Sequence, residues 1–240
     1  MPTRRKTSTA IKHLAQRLSQ PTLPALVVAS LGRSGSTLLH EALVDAMAER
    51  RFGPLAGPSR RLAKDYVWDL DGATLYRGVV YKTHDFPEAL AAQARAVRAM
   101  FIFGSAQDAA LSVRTCFDRY GPTWIGEHFA HLHADGPYEE LLTRDVLRFE
   151  EQLRRWASYT DVPVLCLRYE TLWDHIAHLR EFCGVPVSLP PRRQRERNDA
   201  GADTLDAANS VYAPLDRIID RLPDAFIGGS VEDPQGLWTT

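Results

Sequence analysis

Short, continuously apolar runs alternate along this chain with longer stretches in which apolar residues recur every three or four positions. The short runs predict β-strands that are buried on both faces. They are Ala25–Leu31, Gly78–Lys82, Ala99–Phe103 and Pro163–Leu167. Strands that alternate with helices are typical of a parallel sheet covered on both sides. We therefore predict a single α/β domain with a mostly parallel central sheet flanked by helices.

The helical periodicity predicts helices between these strands and after the last one. Their predicted ranges are Ser36–Arg51, Pro87–Arg98, Gln107–Phe117, Glu139–Tyr159, Leu172–Cys183 and Val211–Arg221. The longest of them carries an apolar face, formed by Leu141, Leu142, Val146, Phe149, Leu153 and Trp156. Residues 53–76 and 119–137 are rich in turn-forming or aromatic residues and are predicted to be irregular, the second as a long loop or lid.

Residues 1–22 differ from the remainder because they contain five basic residues and no acidic one. Ile11, Leu14 and Leu18 fall on one helical face. This pattern predicts a basic N-terminal tail with a short helix that docks on the domain formed by residues 23–240. A transit peptide or a membrane-surface arm has a similar composition and stays open as an alternative.

Composition narrows the classes of protein that fit. The chain of 240 residues has a net charge of −1 and three widely spaced cysteines. Near-neutral charge argues against a nucleic-acid partner, and no apolar run is long enough for stable membrane insertion. The cysteines suit a reducing compartment and not a disulfide scaffold. We therefore expect a cytoplasmic protein in which any basic site is local.

The first strand runs into a turn of small and basic residues, Gly32-Arg33-Ser34-Gly35-Ser36-Thr37, that opens the first helix. Such a connection directs backbone N–H groups and the positive end of the helix dipole at one point, where they favour an anion such as a phosphate. The turn lacks the Gly-Lys-Ser/Thr of a Walker A loop, because its cation, Arg33, precedes Gly35. It therefore predicts a phosphate site and argues against a P-loop kinase.

Lys82 and His84 follow the second strand, and two residues apart in an extended segment they lean to the same side. The carboxyl ends of parallel strands share one edge of a sheet, so both side chains should face the turn. Lys82 could neutralise charge on a leaving phosphate, and His84 could accept a proton from an attacking hydroxyl. The pair is also compatible with a lysine that merely ends a strand and a histidine that caps a turn.

Taken together, these segments resemble the sulfotransferases that use 3′-phosphoadenosine 5′-phosphosulfate (PAPS). In that family a loop similar to residues 33–37 holds the 5′-phosphosulfate. A Lys-Thr-His similar to residues 82–84 supplies a phosphate-contacting lysine and the general base, and a later strand ends in an Arg-Tyr-Glu like residues 168–170. The resemblance covers residues 25–185, with its motifs in the family's order. It implies the P-loop-like sulfotransferase architecture, PAPS as donor and 3′,5′-adenosine bisphosphate (PAP) as product.

Carried over position by position, the resemblance implies a role for each residue of the site. His84 would be the base, and Lys82 and Arg33 would hold the departing phosphate. The residues that would bind the donor are Arg33, Ser34, Gly35, Ser36 and Thr37 in the turn, Ser112 on the 3′-phosphate and Tyr169 near the adenine. The arrangement requires no metal ion.

One position departs from the family's pattern. Gly104 stands where the family has the arginine that binds the 3′-phosphate, which removes a charge-assisted hydrogen bond of about 1.5–3 kcal/mol. Candidate replacements are Arg114 and a basic cluster that contains Arg192 and Arg193, which could also be a solvated loop. Alternatively, the protein is a catalytically degraded, nucleotide-binding or regulatory member of the fold.

The predicted lid contains His128, His131 and His133 together with Trp124 and other aromatic residues. We expect these histidines at the surface or at the acceptor site and not on a metal, because no carboxylate with typical ligand spacing accompanies them. The rings suit a small-molecule or carbohydrate acceptor, or they hold the loop on the core. The expected reaction is sulfuryl transfer to a hydroxyl or, as a second choice, an amine. The sequence leaves the choice between monomer and homodimer open.

Overall fold

The computed structural model describes residues 12–16, 22–93, 96–192 and 201–231. Within these residues, six strands form one sheet in the order β2-β3-β1-β4-β5-β6. The strands are β1 Ala25–Ser30, β2 Lys64–Tyr66, β3 Val80–Lys82, β4 Val97–Phe103, β5 Val164–Arg168 and β6 Ala225–Ile227. Neighbours pair in parallel, except that β6 runs antiparallel to β5. The prediction of an α/β fold with a mostly parallel sheet is confirmed.

Helices cover both faces of this sheet. They are α1 Ser36–Phe52, α2 Ala56–Ser59, α3 Ala106–His131, α4 Phe149–Ser158, α5 Ile176–Cys183 and α6 Ala202–Ile219. Short 3-10 segments are Gly53–Leu55, Arg60–Leu62, Pro87–Gln93, Tyr138–Glu140 and Tyr169–His175. In the part of the chain that the structure describes, each helix is too short or too polar to traverse a bilayer.

Alternation along β1 divides the buried residues into two cores. Ala25 and Val27 pack on one face with residues of α3, α4 and α6. Leu26 and Val28 pack on the other face with residues of α1 and α5. Because β1 is buried on both faces at the centre of the sheet, its carboxyl end, where the turn begins, is held from all sides.

The prediction of a loop over residues 119–137 is wrong for residues 119–131. α3 continues to His131, with one break at Gly121 (φ 77°, ψ −172°). The following Pro122 lies at the start of the second helical stretch, where a proline is tolerated because the first backbone N–H groups of a helix need no partner within it. The Gly-Pro pair therefore marks a kink between two helical stretches and not the end of the helix.

The predicted helix over residues 139–159 is also wrong in extent. Only Phe149–Ser158 is α-helical, and the residue before it, Arg148, adopts a left-handed conformation (φ 56°) that interrupts any continuous helix. The predicted apolar face is nevertheless buried almost throughout, since Leu141 and Val146 contribute to the same core as α4. The periodicity identified the buried positions correctly but not the backbone that presents them.

Other predicted helices and strands also differ in extent from those in the structure. The helix predicted over residues 87–98 is a 3-10 segment that ends at Gln93, because Val97 already pairs with Ala25 in the sheet. The final helix begins nine residues earlier than predicted, at Ala202 instead of Val211. The edge strands β2 and β6 have three residues each and were not predicted. Strands this short leave too few positions for an alternation to be recognised.

Residues 12–16 form a short helical segment that contacts the domain. Gln16 is fully buried and hydrogen-bonds to a backbone carbonyl of the domain. Leu14, however, is 55% exposed, so the predicted docking of an apolar face is wrong at this position. Ile11 and Leu18, together with most of the predicted basic tail, lie outside the described residues.

Candidate functional site

A pocket of about 1150 Å³ lies at the carboxyl ends of β1 and β3. Most of the residues predicted for the site line it. These are Arg33, Gly35, Ser36, Thr37, Lys82, His84, Ser112, Arg114 and Tyr169. The pairing of the strands explains why residues of the turn and of β3 lie together, because Val28 of β1 is in register with Lys82 of β3. The backbone N–H of Thr83 also donates to the carbonyl of Val28 (3.0 Å), which brings His84 beside Ser30.

The turn between β1 and α1 is shaped by residues with positive φ, namely Gly32 (83°), Arg33 (51°) and Gly35 (84°). The Ser34 hydroxyl donates to the carbonyl of Gly32 (2.9 Å). Ser34 therefore stabilises the turn from within, and unlike its neighbours it does not line the pocket. No side chain of the described residues caps the start of α1, so this helix end presents its N–H groups to the pocket.

Gly35 is required by its surroundings. A Cβ atom at this position would lie 2.2 Å from Cδ2 of Tyr169, whose ring rests on the turn. Together with its positive φ, this contact leaves glycine as the residue that fits. Tyr169 in turn packs edge-to-face against Trp173 (5.8 Å between centroids). Tyr169 therefore supports the turn, in addition to its predicted role near the adenine.

Lys82 connects β3 to the turn. Its Nζ donates to Oγ1 of Thr37 (2.7 Å). Burial, and then the nearby charge of Arg33, lower the pKa of Lys82 to about 8. Lys82 and Arg33 thus bring two cations to one pocket, and the charge of each disfavours the charged form of the other unless an anion binds near both. The pair thus indicates a site for a negatively charged ligand.

His84 is anchored to Ser30 through Nδ1. This nitrogen lies 3.3 Å from the carbonyl oxygen and 3.4 Å from the hydroxyl oxygen of Ser30, and we assign the proton to Nδ1 because the nearer carbonyl can only accept. Nε2 is then the nitrogen with a free lone pair. The side chain is 6% exposed, and burial followed by the charge of Lys82 lowers the pKa of His84 well below its ordinary value. The imidazole is therefore neutral in the free protein, and an anion that offsets the charge of Lys82 would raise its basicity.

Arg33 reaches across the pocket from the turn to α3. Its Nε donates to Oγ of Ser112 (3.0 Å), and its guanidinium lies 5.9 Å from the ring centroid of Trp124. The geometry joins two residues that the resemblance assigns to different phosphates of the donor. An anion bound near Ser112 would therefore also meet the charge of Arg33.

The start of α3, where an arginine was expected, is occupied by carboxylates. A Cβ on Gly104 would lie 2.9 Å from Oε1 of Glu170. Asp216 of α6 accepts hydrogen bonds from the backbone N–H groups of Ala106 (2.6 Å) and Gln107 (3.3 Å). These acidic groups satisfy the N–H groups of this helix end and repel a phosphate. The two helix starts at this edge of the sheet therefore differ: that of α1 is uncapped by side chains, and that of α3 is closed.

The candidate replacements for the missing arginine lie in different places. Arg114 lines the pocket. Arg192 is placed over the ring of Trp173 (5.8 Å from guanidinium to centroid) and is not among the residues that line the pocket. Arg193 lies outside the described residues. Arg33 and Arg114 are thus the arginines found at the pocket wall within the part of the chain that the structure describes.

A set of rings next to His84 was only partly anticipated. Trp68 stacks on His131 (4.1 Å between centroids) and lies parallel to His84 (5.7 Å). Trp124 stacks on His128 (4.7 Å). Trp68 was missed because β2, the strand that places it beside β3, was not predicted. His128 and His131 both line the pocket, and their expected location at an acceptor site stays a prediction.

Among the described residues, no group of three or more His, Cys, Asp or Glu side chains is placed to hold a metal ion. Cys116, Cys166 and Cys183 are buried as free thiols, and burial raises the pKa of Cys166 and of Cys183. Neither of these two thiols is therefore activated as a nucleophile.

Comparison of the sequence with models of protein families gives no match, and no curated protein matches it. The function therefore has to be inferred from the site itself.

Proposed function

We propose that this protein is a PAPS-dependent sulfotransferase that moves a sulfuryl group to a hydroxyl of a small-molecule or carbohydrate acceptor. The observation that carries the proposal is the convergence of the turn at residues 33–37, Lys82 and His84 on one pocket. The turn and Lys82 are separated by about 45 residues in the chain. They meet through the register of β1 with β3.

The residues of the pocket supply what in-line transfer needs. Nε2 of His84 accepts the proton of the acceptor hydroxyl as the acceptor oxygen bonds to sulfur. The bond between sulfur and the bridging oxygen breaks, and PAP leaves with the electron pair. Lys82 and Arg33 neutralise the charge that develops on the departing phosphate. Such chemistry depends mainly on positioning and charge, as phosphoryl transfer does.

Recognition of the 3′-phosphate differs from the family's pattern in this proposal. Glu170 and Asp216 close the start of α3 to an anion, so the phosphate has to lie further along the helix. There Ser112 offers a hydroxyl, and Arg33 and Arg114 offer guanidinium groups. We expect the bond between Arg33 and Ser112 to open and both partners to turn toward the phosphate when the donor binds.

A second candidate is a nucleotide-binding or regulatory protein without transfer activity. It is favoured by the carboxylate of Glu170 against Gly104, because an acidic group at this place weakens binding of a doubly charged phosphate. In this case the aromatic rings around His84 would not bind an acceptor. The two candidates differ in whether the sulfuryl group is transferred from the donor to an acceptor.

Calorimetry and a transfer assay separate the candidates. We expect the full chain to bind PAP more tightly than adenosine 5′-monophosphate, by about tenfold, because the 3′-phosphate adds charge-assisted contacts. Incubation with PAPS labelled in its sulfuryl group and a panel of phenols, alcohols and sugars should then label at least one acceptor. Binding of PAP without any labelled product would support the second candidate, and failure to bind either nucleotide would exclude both.

The lowered pKa of Lys82 predicts a pH dependence of PAP binding. In the free protein this lysine loses its proton as the pH rises through about 8, whereas bound phosphates raise its pKa. Binding therefore takes up a proton above pH 8, and affinity should fall by up to about tenfold per pH unit there. Calorimetry at pH 7 to 9.5, in buffers of different ionisation enthalpy, measures both effects.

The matched variants are Lys82→Met and Lys12→Met. Lys12 pairs with Asp65 (2.9 Å) and does not line the pocket. We expect Lys82→Met to bind PAP more weakly and without the dependence above pH 8, while Lys12→Met keeps the wild-type profile. If the affinity of Lys82→Met for PAP fell equally steeply above pH 8, another group would be the one that takes up the proton.

A further inference from the structure

A second imidazole lies between the turn and His84. The ring of His128 on α3 makes an edge-to-face contact with His84 (5.9 Å between centroids). Its Cε1 atom is also close to the turn, because a Cβ added to Gly32 would lie 3.5 Å from it. Trp124 stacks on the other side of the ring. His128 is therefore fixed in place beside the groups that the proposed reaction uses.

The hydrogen-bonding capacity of one nitrogen of this ring, Nε2, is not used within the described residues. His128 is only 8% exposed, and its Nε2 is buried without a hydrogen-bond partner among the described residues. A buried polar atom of this kind is costly to leave unpaired. Since the ring lines the pocket, a ligand could supply the missing partner.

The charges around His128 indicate what that partner is. Burial, and then the charges of Arg33, His131 and Lys82, lower the pKa of His128 to about 3. The ring is thus a neutral imidazole among cations, with one nitrogen that donates and one that accepts. A neutral N–H next to Arg33 and Lys82 is suited to a negatively charged oxygen, because it adds a hydrogen bond without adding repulsion between like charges.

We propose that His128 is a further catalytic residue, whose Nε2–H donates a hydrogen bond to an oxygen of the sulfuryl group during transfer. This inference rests on the proposed function. His84 and His128 then have different tasks: His84 accepts the proton of the acceptor, and His128 orients the group that moves. The sulfuryl group would lie between the turn at Gly32 and the two imidazoles.

PAP and PAPS differ only in the sulfuryl group, so the ratio of their dissociation constants reports on this contact without an acceptor. The variant His128→Phe keeps a ring that stacks on Trp124 but has no nitrogen, and His128→Gln restores a donor. We expect His128→Phe to weaken the binding of PAPS by about tenfold or more and the binding of PAP by less than about twofold. His128→Gln should recover most of the affinity for PAPS. His178→Phe, at an exposed position of α5, should match the wild type.

The outcomes separate this inference from the proposed function. Binding of both nucleotides by the wild type, with an unchanged ratio in His128→Phe, would overturn the role of His128 alone. Equal weakening of PAP and PAPS would also overturn it, because the ring would then only support the turn. Failure of the wild type to bind either nucleotide would overturn the proposed function and this inference with it. Thermal unfolding of each variant identifies any loss of folded protein.

Discussion

Replacement of His84 by alanine is expected to lower the rate of sulfuryl transfer by about 10²–10⁴-fold, the usual contribution of a general base. The affinity for PAP should change by less than about threefold, because the turn, Lys82 and Arg33 remain in place. With the proton assigned to Nδ1, beside the carbonyl of Ser30, Nε2 is the atom whose loss prevents proton transfer. Single-turnover transfer with labelled PAPS, alongside calorimetry with PAP, measures the two quantities separately.

His178→Ala is the control, because His178 is exposed on α5 and does not line the pocket. Imidazole added to the buffer should partly restore transfer in His84→Ala, since the variant leaves room at the wall of the pocket. Turnover of His84→Ala near the wild-type rate would contradict the assignment of the base. Parallel loss of PAP binding would mean that the side chain supports the site and does not act in the reaction.

Replacement of Gly35 by alanine is expected to weaken nucleotide binding strongly. A left-handed conformation costs an ordinary residue about 1–2 kcal/mol, and the new Cβ would lie 2.2 Å from the ring of Tyr169. Either the ring or the turn has to move, and a displaced turn no longer directs its N–H groups at one point. We expect the affinity for PAP to fall by about tenfold or more. Calorimetry with PAP and thermal unfolding measure the two consequences.

Gly57→Ala provides the matched control, because an added Cβ there meets nothing within 4 Å and Gly57 lies within α2. It should leave PAP binding and thermal stability close to the wild-type values. The double variant Gly35→Ala with Tyr169→Ala should recover part of the lost stability, since it removes the steric conflict but not the backbone strain. Wild-type affinity for PAP in Gly35→Ala would show that the turn is not the anion site.

Local sequence patterns predicted the central strands and the turn well, because these depend on short-range preferences. β1, β3, β4 and β5 each include most of a short apolar run, and a strand buried on both faces admits few other residues. Gly35 and its neighbours were recognisable because positive φ at a strand–helix junction favours glycine. Where the prediction was wrong, as at Gly121-Pro122 and Arg148, packing of the flanking residues on the core decided between a kinked helix and a loop.

What the sequence by itself determined is the mostly parallel sheet and the order in which the turn, Lys82 and His84 reach its carboxyl edge. Only the tertiary structure decided what surrounds them. Glu170 reaches the start of α3 across 65 residues of chain, and Asp216 reaches it across 110. Trp68 and His128 reach His84 from separate elements. Contacts over such distances leave no local periodicity, because they depend on how whole elements pack and not on the preferences of neighbouring residues.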